Sequence, residues 1–259
     1  MRAVIIAAGR GRRLEHETRD VPKTLVEVMG RPILDWILEA FAAGGIARRD
    51  ILLITGYGEH VLRERYADLP FVRNHQWEHN NILLSLLHAR SHLSGGFVAS
   101  YSDIVYEGEI VRALVESPHD IVLGCDTDWR RRYANRSQHP ENDAEKLRAN
   151  GDRVLEVGRC IPSEQAQGEF IGLLKMTTVG AAHFLQTVDQ VLVRYGGKVF
   201  REGRSLERAY LIDLLQHMLE AGRVMHRVNT DGGYMEIDTL EDLKQAPVWW
   251  NSRREARGN

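Results

Sequence analysis

The sequence has little of what marks secreted or membrane-bound proteins. Only two of its 259 residues are cysteines, Cys125 and Cys160, so it has no disulfide framework and no paired-cysteine metal motif. No apolar run approaches the length of a membrane span, and the N-terminus lacks the cleavage pattern of a signal peptide. We therefore expect a cytoplasmic protein with reduced thiols and no membrane partner.

The chain also lacks a strong charge of either sign. It has 34 lysines and arginines against 36 aspartates and glutamates, a net charge of -2, so we expect no nucleic-acid partner. Hydrophobic residues make up 43% and charged residues 27%, as in ordinary soluble enzymes. The length suits one large α/β domain, with or without a small appendage. The oligomeric state stays open, and a homodimer is one option.

The rest of the chain is organised around residues 2–23. Ala3 to Ala8 form an apolar run without polar alternation, which is typical of a strand buried on both faces of a parallel sheet. The run leads into Gly9 and Gly11, which let the backbone turn sharply and offer its amides to phosphate oxygens. Lys23 and three arginines add positive charge. The pattern predicts a polyphosphate-binding loop, with a basic turn after a buried strand as the alternative.

Two well-known phosphate-binding loops do not match this stretch. The dinucleotide fingerprint needs a third glycine where Leu14 stands, followed by a helix, whereas the loop here is charged and ends at Pro22. The Walker loop needs Gly-Lys followed by Ser or Thr, and the sequence contains no such string.

The wider pattern resembles the nucleotidyltransferase signature of sugar-nucleotide pyrophosphorylases and of their small cytidylyltransferase relatives. Three elements agree with it in order and spacing: Ala7-Ala8-Gly9-x-Gly11-x-Arg13-Leu14, Pro22-Lys23 and Pro32-Ile33-Leu34. The resemblance implies that the loop with Ala7, Ala8, Gly9 and Gly11 wraps the triphosphate of an incoming nucleotide. It also implies that Arg13 and Lys23 neutralise that triphosphate.

Apolar patterns along the chain alternate between the periods of strands and helices. Helical periods cover residues 31–45, 59–66, 177–195 and 205–221, and strands are expected at 50–55, 71–74, 96–102, 154–158, 169–176 and 224–228. Residues 234–239 are expected to form a strand followed by a capped helix. This alternation predicts an α/β fold with a mixed, mainly parallel sheet flanked by helices. The resemblance implies the same Rossmann-like, GT-A-like layout. We expect one domain over residues 1–247 and a polar tail over 248–259 that frays except where Trp249 and Trp250 dock.

A pair of asparagines opens the helix that begins near residue 80. For Asn80 the alternative to a site role is the N-cap of that helix. The string Asn80-Asn81-x-x-x-Ser85-Leu86 is similar to one in phosphocholine cytidylyltransferases and in nucleotidyltransferase domains of phosphonate pathways. In those proteins it lies beside the base and the second substrate. Amide side chains offer donors and acceptors to a pyrimidine edge, and the resemblance assigns Asn80, Asn81 and Ser85 to nucleotide binding.

Two aspartates from distant segments each follow a predicted strand. Asp103 lies where open α/β sheets bind ligands, although a turn residue there is the alternative. For Asp238 the alternative is a helix cap, a role that Thr239 could also take. The strings Ser100-Tyr101-Ser102-Asp103-Ile104 and Glu236-Ile237-Asp238-Thr239-x-x-Asp242-Leu243 resemble the metal-binding motifs of these transferases, the first in its phosphonate-pathway form. The resemblance implies that Asp103 and Asp238 hold Mg²⁺, which prefers oxygen ligands.

Between Asp126 and Glu169 the alternation of strand and helix patterns stops, and the segment is polar, aromatic and basic. We expect an inserted arm over the active site, with a solvated basic loop as the alternative. Because guanidinium groups bind phosphate oxygens in a fork, these arginines suit an anionic substrate. The segment resembles nucleotidyltransferase domains that accompany phosphonopyruvate-forming mutases, which implies that Lys146 approaches the α-phosphate. The candidate substrate-binding residues are Tyr101, Arg131, Arg132, Tyr133, Arg136 and Glu169.

The resemblance covers residues 2–243 and implies a CTP-dependent enzyme that joins CMP to a small phosphonate or phosphorylated alcohol and releases pyrophosphate. A phosphonate is favoured over phosphocholine. A choline pocket would need an aromatic cage for the quaternary ammonium group, whereas the arm is rich in arginine. One alternative is a sugar-1-phosphate nucleotidyltransferase that uses UTP or dTTP. Another is a non-catalytic nucleotide-binding regulatory protein, which the presence of both metal-site carboxylates disfavours.

Overall fold

The computed structural model describes residues 1–134 and 136–256, with side chains up to residue 251. The strands are β1 (Arg2–Ala7), β2 (Glu27–Val28), β3 (Arg31–Pro32), β4 (Ile51–Thr55), β5 (Phe71–Arg73), β6 (Phe97–Tyr101), β7 (Ile104–Tyr106), β8 (Ile121–Asp126), β9 (Lys146–Asn150), β10 (Arg153–Gly158), β11 (Gly168–Met176), β12 (Val199–Arg201), β13 (Arg204–Ser205), β14 (His226–Thr230) and β15 (Tyr234–Glu236). The helices are α1 (Ile33–Ala43), α2 (Glu59–Arg65), α3 (Ile82–Leu87), α4 (Gly108–Glu116), α5 (Trp129–Tyr133), α6 (Thr178–Tyr195), α7 (Leu211–Glu220) and α8 (Leu240–Ala256).

Within the described residues, the main sheet has the strand order β5-β4-β1-β6-β11-β8-β14-β10-β9. Strands β4, β1 and β6 run parallel to one another, and so do β8 and β14. Strand β11 lies between these two groups and is antiparallel to both β6 and β8. The predicted α/β fold with a mixed sheet is confirmed. The parallel strands end at one edge of the sheet, where ligands bind in open α/β folds.

Strand β1 is buried on both faces, as its unbroken apolar run predicts. Ala3, Ile5 and Ala7 pack into one hydrophobic cluster together with apolar residues of α1 and α4. Val4 and Ile6 pack into a second cluster on the other face, together with residues of α3, α6 and α7. The sheet is therefore covered by helices on both sides, and the loop after β1 begins at the centre of the core.

The segment predicted as an inserted arm divides into two parts. Its first part contains α5 and turns that lie beside the edge where β1 ends. Its second part is the β9–β10 hairpin, which extends the main sheet by pairing with β14 and β11. Much of the segment is thus part of the main sheet, because β9 and β10 form backbone hydrogen bonds with β11 and β14. The domain limits at residues 1–247 stay a prediction.

Two helix boundaries differ from the prediction. The helix expected from residue 205 begins at Leu211, since Tyr210 and Asp213 form a capping box that fixes its start. At the other end of the chain, α8 runs through Pro247 to Ala256, so the fraying predicted for the tail is wrong up to that residue. Residues 257–259 of the predicted tail lie outside the described residues. No described helix is both long and apolar enough to cross a membrane.

Trp250 explains why the chain stays helical beyond Pro247, which removes one backbone hydrogen bond from α8. Its side chain is only 8% exposed and packs into the cluster beneath α1. Its ring meets Trp36 edge to face, with centroids 5.6 Å apart. Burial of such a large apolar side chain offsets the lost hydrogen bond, and the predicted docking of this residue is confirmed.

We therefore expect Trp250→Ala to lower the free energy of unfolding by about 3 kcal/mol, because it removes a buried aromatic ring and leaves a cavity. The measurement is urea unfolding followed by circular dichroism. Val248→Ala is the matched control in the same helix, since Val248 is 73% exposed. Equal stabilities for the two variants would show that α8 does not depend on this contact.

Candidate active site

The loop after β1 is shaped around Lys23. Gly11 adopts φ +75°, and a Cβ atom there would lie 2.8 Å from three carbons of the Lys23 side chain. A glycine at this position therefore lets Lys23 lie across the loop. Ala8 and Gly9 face an open cleft, and a Cβ on Gly9 would meet no atom within 4 Å. Ala7 is buried in β1, so Ala7 and Gly11 support the loop without lining the cleft.

A small second sheet brings the two predicted metal-site aspartates together. Strands β7 and β15 pair antiparallel, with Glu236 opposite Ile104. Asp103 precedes β7 and Asp238 follows β15, so both lie at the same end of this pair. The backbone N–H of Ile237 donates to the carbonyl of Asp103 over 2.8 Å and closes the junction. The pairing explains how residues 135 positions apart in the sequence come to share one site.

Asp238 does not cap the helix that follows it. Thr239 takes that role, because its hydroxyl accepts from the N–H of Asp242 over 3.2 Å. The Asp242 carboxylate in turn accepts from the N–H groups of Asp238 and Thr239, both at 2.9 Å, which completes a capping box. The Asp238 carboxylate is therefore left to face the cleft.

Lys23 lies between the two aspartates. Its Nζ is 2.8 Å from Oδ2 of Asp103 and also contacts Oδ1 of Asp238. Arg13 pairs with the other oxygen of Asp238. Burial acts to lower the pKa of Lys23, but the Asp103 and Asp238 carboxylates raise it above its usual value. Burial acts to raise the pKa of Asp238, but Lys23 and Arg13 hold it well below its usual range. Lys23 and Asp238 are therefore both charged at neutral pH.

These residues line a cleft of about 500 Å³ that opens at the edge of the sheet where β1 and β6 end. On one side the β1 loop meets an amide-rich wall from the segment around α3. On the other side the cleft is bounded by residues of β11 and β15 and of nearby loops, including Glu145 just before β9 and Arg159 just after β10. The sequence-predicted residues that line it are Ala8, Gly9, Arg13, Lys23, Asn80, Asn81, Ser85, Tyr101, Asp103, Glu169 and Asp238.

The amide-rich wall is held by a network around buried Asn74. The Asn74 Nδ2 group donates to Oδ1 of Asn80 and to Oγ of Ser85, each over 2.9 Å. Asn80 returns a hydrogen bond to Asn74 Oδ1 over 3.2 Å. Asn80 does not cap α3, which was the alternative to its predicted site role. Asn81 caps α3 instead, by accepting from the N–H of Ile82 over 2.8 Å, and this leaves Asn80 to line the cleft.

The opposite wall is rich in carboxylates and tyrosines. Glu145 accepts from the hydroxyl of Tyr101 over 3.1 Å and lies 3.8 Å from the guanidinium of Arg159. Arg159 in turn stacks over the ring of Tyr210, 4.0 Å from its centroid. Burial raises the pKa of Glu145 to about 8. The remaining residues of this wall that bear titratable groups are His139, Asp143, Glu169, Tyr234 and Glu236.

The arm residues predicted to bind substrate lie behind this wall. The buried Arg132 pairs with Asp126 over 3.0 Å and also with Glu169. The hydroxyl of Tyr133 donates to Glu169 over 2.6 Å. These contacts fix the Glu169 carboxylate, and neither Arg132 nor Tyr133 lines the cleft.

The other two arm arginines that were assigned to substrate, Arg131 and Arg136, are also outside the cleft lining. Arg136 is 2.7 Å from an oxygen of Asp242 and donates to the carbonyl of Glu236 over 2.8 Å, so it fastens the arm to β15 and α8. Arg131 is exposed and lies 3.7 Å from Asp128. Lys146, the predicted α-phosphate ligand, is only 2% exposed and does not line the cleft, and burial lowers its pKa.

Comparison with known proteins agrees with this arrangement. Residues 3–199 match the family model described as the MobA-like NTP transferase domain. The chain belongs to this family. It is a nucleotidyltransferase, as the β1 loop and the two aspartates predict.

Two relatives match over almost their whole length. The CTP:phosphoglutamine cytidylyltransferase of Campylobacter jejuni is 27% identical over 254 residues, which cover 94% of this chain and 98% of the relative. The UTP--glucose-1-phosphate uridylyltransferase AglF of Haloferax volcanii is 30% identical over 256 residues, 95% of each chain. The structure of the inositol-1-phosphate CTP transferase from T. maritima superimposes with a TM-score of 0.71 at 22% identity, covering 95% of this chain and 94% of the other. This structural likeness confirms the predicted nucleotidyltransferase fold.

Several cleft residues of this nucleotidyltransferase were not assigned by the sequence. Arg159 and Tyr210 carry no motif. His139 and Glu145 lie in the predicted arm, and Glu236 stands in the string around Asp238, but none of the three was given a role. Arg159 reaches the cleft because Gly158 pairs with Lys146 in the β9–β10 hairpin, a register that no local pattern specifies. Trp77 also lines the cleft, beside the amide-rich wall. Its ring meets that of Tyr57 edge to face, with centroids 5.5 Å apart.

The space that Gly11 leaves for Lys23 gives a direct test of the loop geometry. Gly11→Ala should lower the free energy of unfolding by about 1–3 kcal/mol, because alanine is strained at positive φ and its methyl group overlaps Lys23. Gly9→Ala is the matched control in the same loop and should change stability by less than about 0.5 kcal/mol. Chemical unfolding of both variants provides the measurement. Similar losses in both, or none in either, would contradict this packing.

Proposed function

We propose that the protein transfers CMP from CTP to a small acceptor that bears a phosphate or phosphonate, with release of pyrophosphate. The observation that carries this proposal is the convergence of four charged groups in one cleft. Two cations from the β1 loop, Arg13 and Lys23, meet two carboxylates from the β7–β15 pair, Asp103 and Asp238. An enzyme that catalyses nucleotidyl transfer must align two anionic substrates and neutralise the repulsion between them. This set of charged side chains suits that task.

The cationic side chains are placed to bind the leaving pyrophosphate. Lys23 crosses the loop beside Gly11, and the half-exposed Arg13 lies near the loop residues Ala8 and Gly9 that face the cleft. A triphosphate on this loop would bring more negative charge to Lys23 and Arg13 than Asp238 and Asp103 provide. The acceptor oxygen is already ionised near neutral pH, so the reaction needs no general base.

We further propose that Asp103 and Asp238 hold Mg²⁺. Oδ1 of Asp103 is buried and has no hydrogen-bond partner among the described residues, and Asp238 is kept ionised by its neighbours. Carboxylate oxygens are the ligands that Mg²⁺ prefers, so the residues present fit this ion. When bound, the ion would stabilise negative charge on the α-phosphate as a Lewis acid. Lys23 must move from between the aspartates to make room, and the triphosphate gives it another partner.

The amide-rich wall supports recognition of a pyrimidine base. The network with Asn74 and Ser85 fixes the orientation of the Asn80 amide, so its donor and acceptor positions are set before a base binds. Trp77, beside it, offers an aromatic surface. The preference for CTP over UTP rests on the Campylobacter jejuni relative, whereas the Haloferax volcanii relative is named for UTP and glucose 1-phosphate. A sugar-1-phosphate uridylyltransferase is therefore the second candidate.

The lining of the cleft favours an acceptor that carries a positively charged nitrogen. The wall opposite the amides has four carboxylates, and the arm arginines that the sequence assigned to an anionic substrate are engaged elsewhere. Glu169 is neutralised by Arg132, but Glu145 has only Arg159 at 3.8 Å. Burial raises the pKa of Glu145 to about 8, and an ammonium group of the acceptor would favour its charged form. Tyr101 and Tyr210 present aromatic rings that suit a cation. This replaces the sequence-based argument that the arm lacks a site for a cation.

Pyrophosphate release measured with Mg²⁺ tests the function. We expect release with CTP and with an acceptor that bears both an amine and a phosphate or phosphonate, such as an aminoalkylphosphonate or phosphocholine. ATP, GTP, UTP and dTTP are offered in parallel, as are glucose 1-phosphate and inositol 1-phosphate. Asp103→Asn is the negative control and should lower kcat by about 100-fold or more. Glu145→Gln should raise KM for the amine-bearing acceptor and leave KM for CTP nearly unchanged.

Other outcomes would redirect the assignment. Release only with UTP or dTTP and a sugar phosphate would overturn the preference for CTP in favour of the second candidate. Binding of CTP without pyrophosphate release from any acceptor would contradict the enzymatic proposal. An equal effect of Glu145→Gln on amine-bearing and amine-free acceptors would contradict the proposed ammonium contact.

A further inference from the structure

A second group of potential metal ligands lies away from the nucleotidyl-transfer cleft. Among the described residues, two sets of three His, Asp or Glu side chains have ligand atoms that all lie within 4.8 Å of one another. One set, His139 with Glu236 and Asp238, belongs to the cleft. The other consists of His119, Asp152 and His226, and the proposed transfer reaction gives these residues no role.

This second group lies at the opposite edge of the main sheet. Strands β1 and β6 end at the cleft, and the pairings through β11 make β8 and β14 run in the same direction as β6. His119 precedes the start of β8, and His226 is the first residue of β14. Both residues are therefore at the edge where these strands begin. Asp152 lies in the turn of the β9–β10 hairpin, which reaches the same edge.

The sheet holds the backbone of all three residues in place. The carbonyl of Asp152 accepts from the N–H of Arg227 over 2.8 Å, and the N–H of Val154 donates to the carbonyl of Met225 over 2.9 Å. His226 pairs with Val122 in β8 and with Arg153 in β10. The carbonyl of His119 accepts from Nζ of Lys175 over 2.7 Å. The backbone positions of Asp152 and His226 are thus set by hydrogen bonds of the sheet, and that of His119 by the contact with Lys175.

The side chains have the chemistry of a site for a borderline-soft metal ion. The rings of His119 and His226 stack with centroids 3.5 Å apart and an interplanar angle of 11°. This contact places ring nitrogens of both histidines close to each other and to the Asp152 carboxylate. Neutral imidazole is the form that binds metal ions. The Asp152 carboxylate lies 3.4 Å from Nε2 of His119 and supplies a negative charge.

We propose that His119, Asp152 and His226 bind a divalent transition-metal ion such as Zn²⁺. Two imidazoles and one carboxylate are a common ligand set for zinc, and water would fill the remaining position. The stacked rings must turn so that one nitrogen of each points to the same ion. Because these side chains are part-exposed, the turn needs no repacking of the core. A bound ion would join the β9–β10 hairpin, which carries Lys146 and Arg159, to β8 and β14.

Calorimetric titration of the chelator-treated full chain with Zn²⁺ tests the site. Excess Mg²⁺ is included as a competitor for the carboxylates of the cleft. We expect one Zn²⁺ to bind per chain and to raise the melting temperature. His226→Ala and His119→Gln should each weaken this binding by about tenfold or more. The control His60→Ala, in exposed α2, should bind as the wild type does. Co²⁺ used as a second probe should give the visible absorption of a low-coordinate site in the wild type and lose it in His226→Ala.

Two results would overturn the proposal. One is the absence of Zn²⁺ binding by the wild-type chain under these conditions. The other is equal Zn²⁺ affinity in the wild type and both histidine variants, above all if Asp238→Asn abolishes the binding, since that would assign the ion to the cleft. Neither result bears on nucleotidyl transfer, which is tested separately by pyrophosphate release.

Discussion

The ammonium group of Lys23 between Asp103 and Asp238 is the contact on which the site depends. Two mostly buried carboxylates repel each other unless a cation lies nearby, and here that cation comes from the β1 loop. The contact joins the glycine loop to the β7–β15 pair and so closes the base of the cleft. Other features serve it, because Gly11 leaves room for the lysine and the Thr239–Asp242 capping box releases Asp238 from the helix. Structural support and candidate catalysis thus use the same four charged side chains.

This arrangement implies an exchange of partners when substrates bind. Without nucleotide, Lys23 and Arg13 neutralise the aspartates, and each charge has a partner inside the protein. With a magnesium nucleotide, the triphosphate would take the two cations while the metal ion takes the two carboxylates. No charge need be left unpaired in either state, which keeps the cost of the rearrangement low. The nucleotide and the metal ion are therefore expected to favour each other's binding.

The sequence predicted the features that depend on local patterns. Stretches of about ten residues are enough to predict the β1 run, the glycine loop, Asp103 at a strand end and Asp238 before a capped helix. It failed where a role depends on a distant partner. Arg132 and Arg136 were assigned to substrate, but their charges are engaged by Glu169 and Asp242, which only the fold brings near. Arg159 and Glu145 reach the cleft through the register of one hairpin, and the start of α7 depends on a capping box that the helical period does not reveal.

Binding of Mn²⁺ to the nucleotide-free protein, measured by electron paramagnetic resonance at pH 8, tests the role of Lys23 most directly. Mn²⁺ takes the same oxygen ligands as Mg²⁺ and is detected without turnover. If Lys23 occupies the place of the metal ion, Lys23→Met should bind Mn²⁺ about tenfold more tightly than the wild type, because both carboxylates are freed. The gain should vanish when Asp103→Asn is added. Equal or weaker Mn²⁺ binding by Lys23→Met would contradict the account.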